Sequence, residues 1–382
     1  MISTNFWAQE ASLLDSLMQH KVERILMISS LYDSFVFEVD GFLAEQLSED
    51  FHLLNLSTQP NVYHASSLES ALKLLEQEQI DIIIVHLASM RQIALSLLEL
   101  IKEYKPDLPV YFLLGAPQDL MFIENHVEEL RGVQDFFYWN GDSKLFLAII
   151  KLWEELLNIP RDIEAYNIPI IMVVETFIPY YSQFLPLLYE QIMQLCLGLI
   201  RNEHQSMYKN LYLNARPRIV LLHDYASAVD FYNQHRDSII GVISNINYHY
   251  LGESHPNGGL ELLQFIRKQS AGLPFLMQSF NPMYRDIVSS NEGDFLYKDL
   301  PGLSRQLRRW LQTEMSFAKF TFREPNGKKI GEASSLIGFH KVLKDLPASS
   351  VKYHMQNRHF HAWLATHAEA AMCQYLDKLD AS

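Results

Sequence analysis

Short apolar runs of strand length alternate with helical stretches over most of the chain, and this alternation limits the fold more than any other feature. Runs such as IDIIIVHL (80–87) and SIIGVISN (238–245) are apolar at odd and even positions alike, so both faces of each strand must be covered. Between the runs, apolar residues recur at helical spacing. Ser67 to Gln77 opens on a candidate N-cap serine and places Leu68, Ala71, Leu72 and Leu75 on one face. Strand then helix, repeated, implies parallel strands joined by right-handed helical crossovers.

The rhythm runs twice. The first round has strands at 23–30, 61–65, 80–87, 108–116 and 133–139, with helices over Phe35–Leu47, Ser67–Gln77, Ile93–Tyr104, Leu120–Leu130 and Ser143–Leu157. The second has strands at 168–175, 217–223, 238–245, 273–279 and 294–298, with helices over Tyr180–Arg201, Tyr225–Gln234, Leu260–Gln269, Pro282–Ser289 and Leu303–Phe317. The expected fold class is α/β, with two doubly wound five-stranded parallel sheets of strand order 2-1-3-4-5. Expected boundaries are a leading helix in 1–21 (on Trp7, Ala11, Leu14, Leu17 and Met18), a first domain over 22–158 and a second over 167–317. The join, Asn158 to Asn167, contains Pro160. Residues 318–382 read as a small α+β segment: a hairpin turning at Pro325-Asn326-Gly327, then helices over Ser335–Leu343 and His359–Leu379. No helix stop signal precedes Ser382, so a linker to a further domain is expected.

Charge narrows the function classes. Lys and Arg number 31 against 45 Asp and Glu, a formal net charge of -14. An acidic chain is a poor partner for extended nucleic acid, which needs a basic face to displace counterions, or for an anionic membrane. Arg305, Arg308 and Arg309 make only one turn of basic face, too little for a transcription factor. Cys196 and Cys373 form no CxxC pair, the N-terminus lacks a basic segment followed by an apolar one, and no apolar run reaches membrane-spanning length. A reducing cytoplasm is the expected location.

In such sheets ligands meet the carboxyl ends of the strands. There the resemblance becomes specific: by element order and by phrases such as "IDIIIVH" and "LPFLMQS", each repeat resembles the receiver domain of bacterial response regulators, a flavodoxin-like fold. The resemblance implies an acidic pair for Mg²⁺, an aspartate phosphoacceptor, a Ser/Thr and a Lys at those ends. The first repeat has Ser29 and Ser30 at the acidic pair, His86 at the acceptor, Gly115 near the hydroxyl position and Trp139 near the lysine position. The second has Glu175 and Thr176 at the pair, Asn245 at the acceptor, and Ser279 and Lys298 matching the hydroxyl and the ammonium. Neither acceptor position holds a carboxylate nucleophile. A vestigial pocket is expected in the second repeat, with Glu175 as the countercharge of Lys298 and the Asn245 carbonyl and Ser279 hydroxyl accepting its remaining hydrogen bonds; weak Mg²⁺ binding at Glu175 stays open.

Three longer phrases, RILMISSLYDSFVFEVDG (24–41), MVVETFIPYYSQFLPLLYEQIM (172–193) and LIGFHKVLKDLPASSVKYHMQNRHFHAWLATHAEAAM (336–372), resemble the N-terminal regulatory region of bacterial phosphoenolpyruvate synthase/pyruvate phosphate dikinase-like proteins. That resemblance implies a regulatory front end to a catalytic region that these residues lack. The expected function is a non-catalytic signalling module acting through protein partners, through a catalytic domain in cis, or through a second copy. The alternative is a phosphorylatable response regulator, or part of a phosphotransferase. Three bland readings complete the survey. His354, His359, His361 and His367 are spaced as surface or packing residues, not metal ligands; PNGG (256–259) lacks the ending of a phosphate-binding loop; and Tyr180-Tyr181 packs a helix start.

Overall fold

A computed structural model of the chain describes residues 17–33, 59–166, 168–200, 214–299, 301–315, 320–333, 336–356 and 359–366. The predicted helix over Phe35–Leu47, and the predicted helical residues before 17 and after 366, lie outside the described residues. Leu17 and Met18 form a bend, not the helix end expected from their spacing, and Met18 has φ +54°.

The first sheet is built from β1 (Arg24–Ile28), β2 (Asn61–Ala65), β3 (Ile82–His86), β4 (Val110–Leu114) and β5 (Asp135–Tyr138). Its helices are α1 (Leu68–Gln77), the short α2 (Leu87–Met90), α3 (Ala94–Tyr104), α4 (Pro117–Asn125) and α5 (Lys144–Tyr166). The strand order is β2-β1-β3-β4-β5, and every pairing is parallel. Central β3 and β4 are buried at every position, as their unbroken apolar sequence requires. Ser67 caps α1, its hydroxyl accepting from the Ser70 amide.

The second sheet repeats the plan. β6 (Ile170–Val174), α6 (Ile178–Ile200), β7 (Arg218–Leu222), α7 (Tyr225–His235) and β8 (Ile239–Asn245) are followed by a hairpin, β9 (Tyr248–Tyr250) and β10 (Glu253–His255). Then come α8 (Gly258–Gln269), β11 (Phe275–Ser279), α9 (Tyr284–Ser290), β12 (Asp294–Tyr297) and α10 (Leu303–Thr313). The order β12-β11-β8-β6-β7, again parallel, is the same 2-1-3-4-5 sequence read from the other edge. Both sheets are therefore flavodoxin-like. A smaller unit ends the chain: the antiparallel pair β13 (Phe320–Arg323) and β14 (Lys329–Ala333), packed on α11 (Leu336–Leu343), α12 (Ala348–Gln356) and α13 (His359–Thr366).

Several features depart from the sequence reading. The helix expected to stop at Leu157 continues to Tyr166 with Pro160 inside it, so α5 crosses the expected join without a break. The β9–β10 hairpin was not expected. It turns on Leu251 and Gly252, at φ +49° and +82°, a turn suited to a two-residue hairpin loop. PNGG leads into α8, where Gly259 is obligatory, because a Cβ there would lie 1.9 Å from the Asn245 carbonyl oxygen. Finally, α12 fills what read as an aromatic connecting segment.

The two sheets share a core. Helix α6 is apolar on almost every side, and Tyr181, Phe184, Leu185, Leu188, Tyr189 and Ile192 are all buried. It packs on its own sheet and also on β5 and α5 of the first domain, joining apolar residues of both domains into one cluster. Among the described residues, no helix is long and apolar enough to cross a membrane.

Candidate functional site

In the second domain the carboxyl ends of β6, β8 and β12 meet, as they must in a sheet of this order. Glu175 follows β6 and is 1% exposed. Its Oε1 accepts from the amides of Thr176 (3.0 Å) and Phe177 (3.1 Å) and from Asn245 Nδ2 (3.0 Å). Its Oε2 accepts from Lys298 Nζ at 2.5 Å. Lys298 follows β12, and its ammonium lies 4.1 Å from the Tyr180 ring centroid and 5.3 Å from that of Phe280. Burial pushes the lysine pKa down, and the Glu175 carboxylate opposes that shift.

The expected contact between Lys298 and the Asn245 carbonyl is corrected here. Asn245 Oδ1 accepts the Ile246 amide at 2.9 Å, and its Nδ2 donates to Glu175 and to the Asn247 carbonyl. The reason is charge: the ammonium pairs with the one carboxylate in reach, leaving the amide to close the turn after β8. Ser279 stays outside this cluster of polar side chains. Its hydroxyl accepts from the Asn281 amide at 3.1 Å, while its carbonyl accepts from the Lys298 amide at 3.0 Å. Thr176 Oγ1 accepts from the His249 amide at 3.3 Å, tying the hairpin to the pocket.

In the first domain the equivalent edge is filled. His86, 7% exposed, places Nδ1 3.1 Å from Ser89 Oγ and 3.4 Å from Asp33 Oδ2. Ser30 joins this group, its hydroxyl donating to Asp33 Oδ2 at 2.6 Å and its amide to Ser89 Oγ at 3.1 Å. Ser29 is buried, its amide donating to the Ala65 carbonyl. A Cβ at Gly115 would lie 2.8 Å from His86 Nε2, so the glycine is the space the imidazole occupies. The Trp139 ring packs toward α5, 5.1 Å from Phe146. Asp33 and Ser89 escaped the sequence reading because neither falls at a strand end.

A further polar cluster lies between the domains and left no local trace in the sequence. Asp135, at the start of β5, faces His223, which follows β7, with Nε2 to Oδ2 at 3.0 Å. Tyr181 and Tyr250 both direct their hydroxyls at Asp135 Oδ1 (3.1 and 3.3 Å). In the C-terminal unit, the Nδ1 atoms of His354 and His359 lie 3.0 Å apart, and His354 Nε2 accepts from the Arg323 amide at 2.8 Å. His354 and His359 thus meet more closely than their spacing suggested, because α12 and α13 pack against each other; His367 lies outside the described residues. No group of three or more His, Cys, Asp or Glu able to hold a metal occurs among the described residues. Cys196 is buried, its thiol pushed up to about 12 by that burial; Cys373 lies outside the described residues.

No protein-family model matches the chain, and no curated protein matches it. Among solved structures it is similar to the signal receiver domain of an HD domain-containing protein from Pseudomonas fluorescens Pf-5, at 18% identity and a TM-score of 0.26, over 37% of this chain and 94% of that one. It is also similar to NtrX from Brucella abortus, solved in complex with ADP, at 13% identity and a TM-score of 0.28, over 75% of this chain and 80% of that one. Likeness at this level carries no argument about function, and the flavodoxin-like fold rests on the order and direction of the strands in both sheets.

Proposed function

We propose that the chain is a regulatory module of two degenerate receiver domains that works through protein contacts and carries out no phosphoryl transfer of its own. The observation that carries this reading is the state of Glu175. Its two oxygens already take four donors, one of them an ammonium. A hard divalent cation needs several oxygen ligands, and here it would find a single carboxylate whose oxygens are already taken. The residues present do not suit Mg²⁺. The acceptor positions point the same way: Asn245 is an amide engaged at both ends, and His86 is packed against Gly115. An amide is shaped like a carboxylate but is not a nucleophile. The finer reading, a front end to a phosphoenolpyruvate synthase-like catalytic region, rests only on the sequence resemblance of 24–41, 172–193 and 336–372.

Intact-mass spectrometry after incubation with acetyl phosphate and Mg²⁺ tests the central claim. The chain is expected to gain no phosphoryl group, and an adduct on a carboxylate of either domain would overturn the reading. Asn245→Asp combined with Thr176→Asp supplies the two missing carboxylates beside Glu175. That double variant is expected to become phosphorylated in a Mg²⁺-dependent way. If it folds and titration shows no Mg²⁺ binding, the assignment of Glu175, Asn245 and Lys298 as a receiver pocket is wrong.

A further inference from the structure

The His223 imidazole lies between two hydrogen-bond acceptors. Its Nδ1 is 2.6 Å from the Glu175 carbonyl oxygen, and its Nε2 is 3.0 Å from Asp135 Oδ2. A backbone carbonyl only accepts, and an ionised carboxylate only accepts. Neutral imidazole carries one N–H and would turn a lone pair toward one of these oxygens. Only the imidazolium donates to both. The ring also stacks on Tyr250 of the hairpin, with centroids 4.1 Å apart and planes at 13°. Tyr250 continues to Asp135, and the His249 amide beside it donates to Thr176 Oγ1. One cation therefore sits where three things meet: the first domain through Asp135, the second-domain pocket through Glu175, and the hairpin through Tyr250.

We propose that His223 is a proton-operated latch that holds the β9–β10 hairpin across the seam between the two domains. Protonated, it bridges Asp135 and the Glu175 carbonyl and presents a cationic face to Tyr250. When the proton leaves to solvent, one of the two bridges is lost, the stack on Tyr250 weakens, and the hairpin loosens from the first domain. The groups that face the ring are Asp135 from β5, Tyr181 from α6, Tyr250 from β9, and the carbonyl and more distant carboxylate of Glu175. Neighbouring Asp224 is engaged elsewhere, capping α7 through the Ser227 amide. Burial of the imidazole opposes its charge, but the Asp135 carboxylate and the bond to Glu175 outweigh it, and the net shift is upward from 6.5. A histidine whose folded pKa is raised stabilises the folded form fully below its unfolded pKa. That contribution is lost as pH rises through the folded value, so the latch is closed in mild acid and opens toward alkaline pH.

The latch does not depend on whether the pocket ever accepts a phosphoryl group, and its test uses a different readout. Hydrogen–deuterium exchange of the full chain is followed over 248–255, normalised at each pH to α8 to remove the intrinsic rate change. The hairpin's relative protection is expected to fall about tenfold between about pH 6 and about pH 9, the loss of one charge-assisted hydrogen bond. His223→Phe, which keeps a ring against Tyr250 but has no donor, should show low protection at every pH. Asp135→Asn should move the wild-type midpoint to lower pH, and it keeps the test decisive if His223→Phe does not fold. Constant relative protection in the wild type, an unchanged pH dependence in His223→Phe, or an unmoved midpoint in Asp135→Asn would each overturn the proposal.

Discussion

At the scale of single residues, the second-domain pocket is a buried ion pair with its hydrogen bonds complete. The Lys298 and Glu175 side chains are 1% and 2% exposed. Burying two charges is costly, and their mutual attraction offsets that cost only with good geometry and full hydrogen bonding. The pair is therefore weak evidence for stability, but breaking it from one side should be severe. Lys298→Met leaves Glu175 charged in a dry site and is expected to cost about 3–5 kcal/mol in chemical denaturation. Glu175→Met with Lys298→Met removes both charges and should recover much of that loss. A double variant as unstable as the sum of the two single variants would show that the groups do not act as a pair. Sequence alone placed Glu175, Asn245 and Lys298 at one strand edge, because strand ends in a doubly wound sheet converge. It paired Lys298 with Glu175 correctly but wrongly gave the ammonium Asn245 and Ser279 as further acceptors, since which donor meets which oxygen depends on distances of a few tenths of an ångström.

At the scale of elements, the C-terminal unit is held by rings rather than by length. Phe320, Phe322, Phe339, Phe360 and Trp363 form its centre, with Phe339 and Trp363 stacked at 4.8 Å. His354 and His359 sit against this cluster, their pKa values lowered to about 4 and about 3 chiefly by burial. The sign is opposite to that of His223. Between pH 6.5 and about 4 the unfolded segment takes up protons that the folded one refuses, so stability falls as pH falls. Hydrogen exchange over Ala348–Gln356 should therefore show protection lost on acidification through this range, with His354→Phe flattening the response. Protection that does not change with acidification would place both imidazoles in water. The aromatic richness of this segment was legible in sequence; the meeting of the two histidines was not, because helical spacing says nothing of how two helices pack against each other.

At the scale of the whole molecule, the two sheets are joined by a polar seam as well as by apolar contact. Helix α5 carries Lys151, Glu154, Glu155, Asn158 and Asp162 along one buried stripe. Arg216 pairs with Glu155, which also accepts from the Tyr189 hydroxyl at 3.0 Å and the Ile219 amide at 2.6 Å. Arg218 Nε donates to Asp162 Oδ2 at 2.9 Å, and both side chains are fully buried. This pair links the helix that leaves the first sheet to a strand of the second. Arg218→Met is expected to cost about 3–5 kcal/mol, because it strands Asp162 as a buried unpaired charge. Since the apolar core is also continuous across the seam, the loss should appear in both sheets. Amide exchange measured together at β3 and β8 checks this, and loosening confined to β8 would show that the domains unfold independently.

The sequence by itself determined the order of the ten strands of the two sheets, their parallel direction, and that the strand ends at His86 and Asn245 carry no carboxylate. Those properties are local: periodicity reports which faces of an element are covered, and residue identity reports what chemistry a strand end can perform. It could not determine that the charged stripe on α5 lies inside the molecule, since Glu155 and Asp162 at helical spacing read equally well as a solvated face. Nor could it pair Asp135 with His223, which are 88 positions apart. Only the tertiary structure decided these points. A buried charge is tolerated where a distant partner meets it, and docking α6 against β5 and α5 is what brought the partners together.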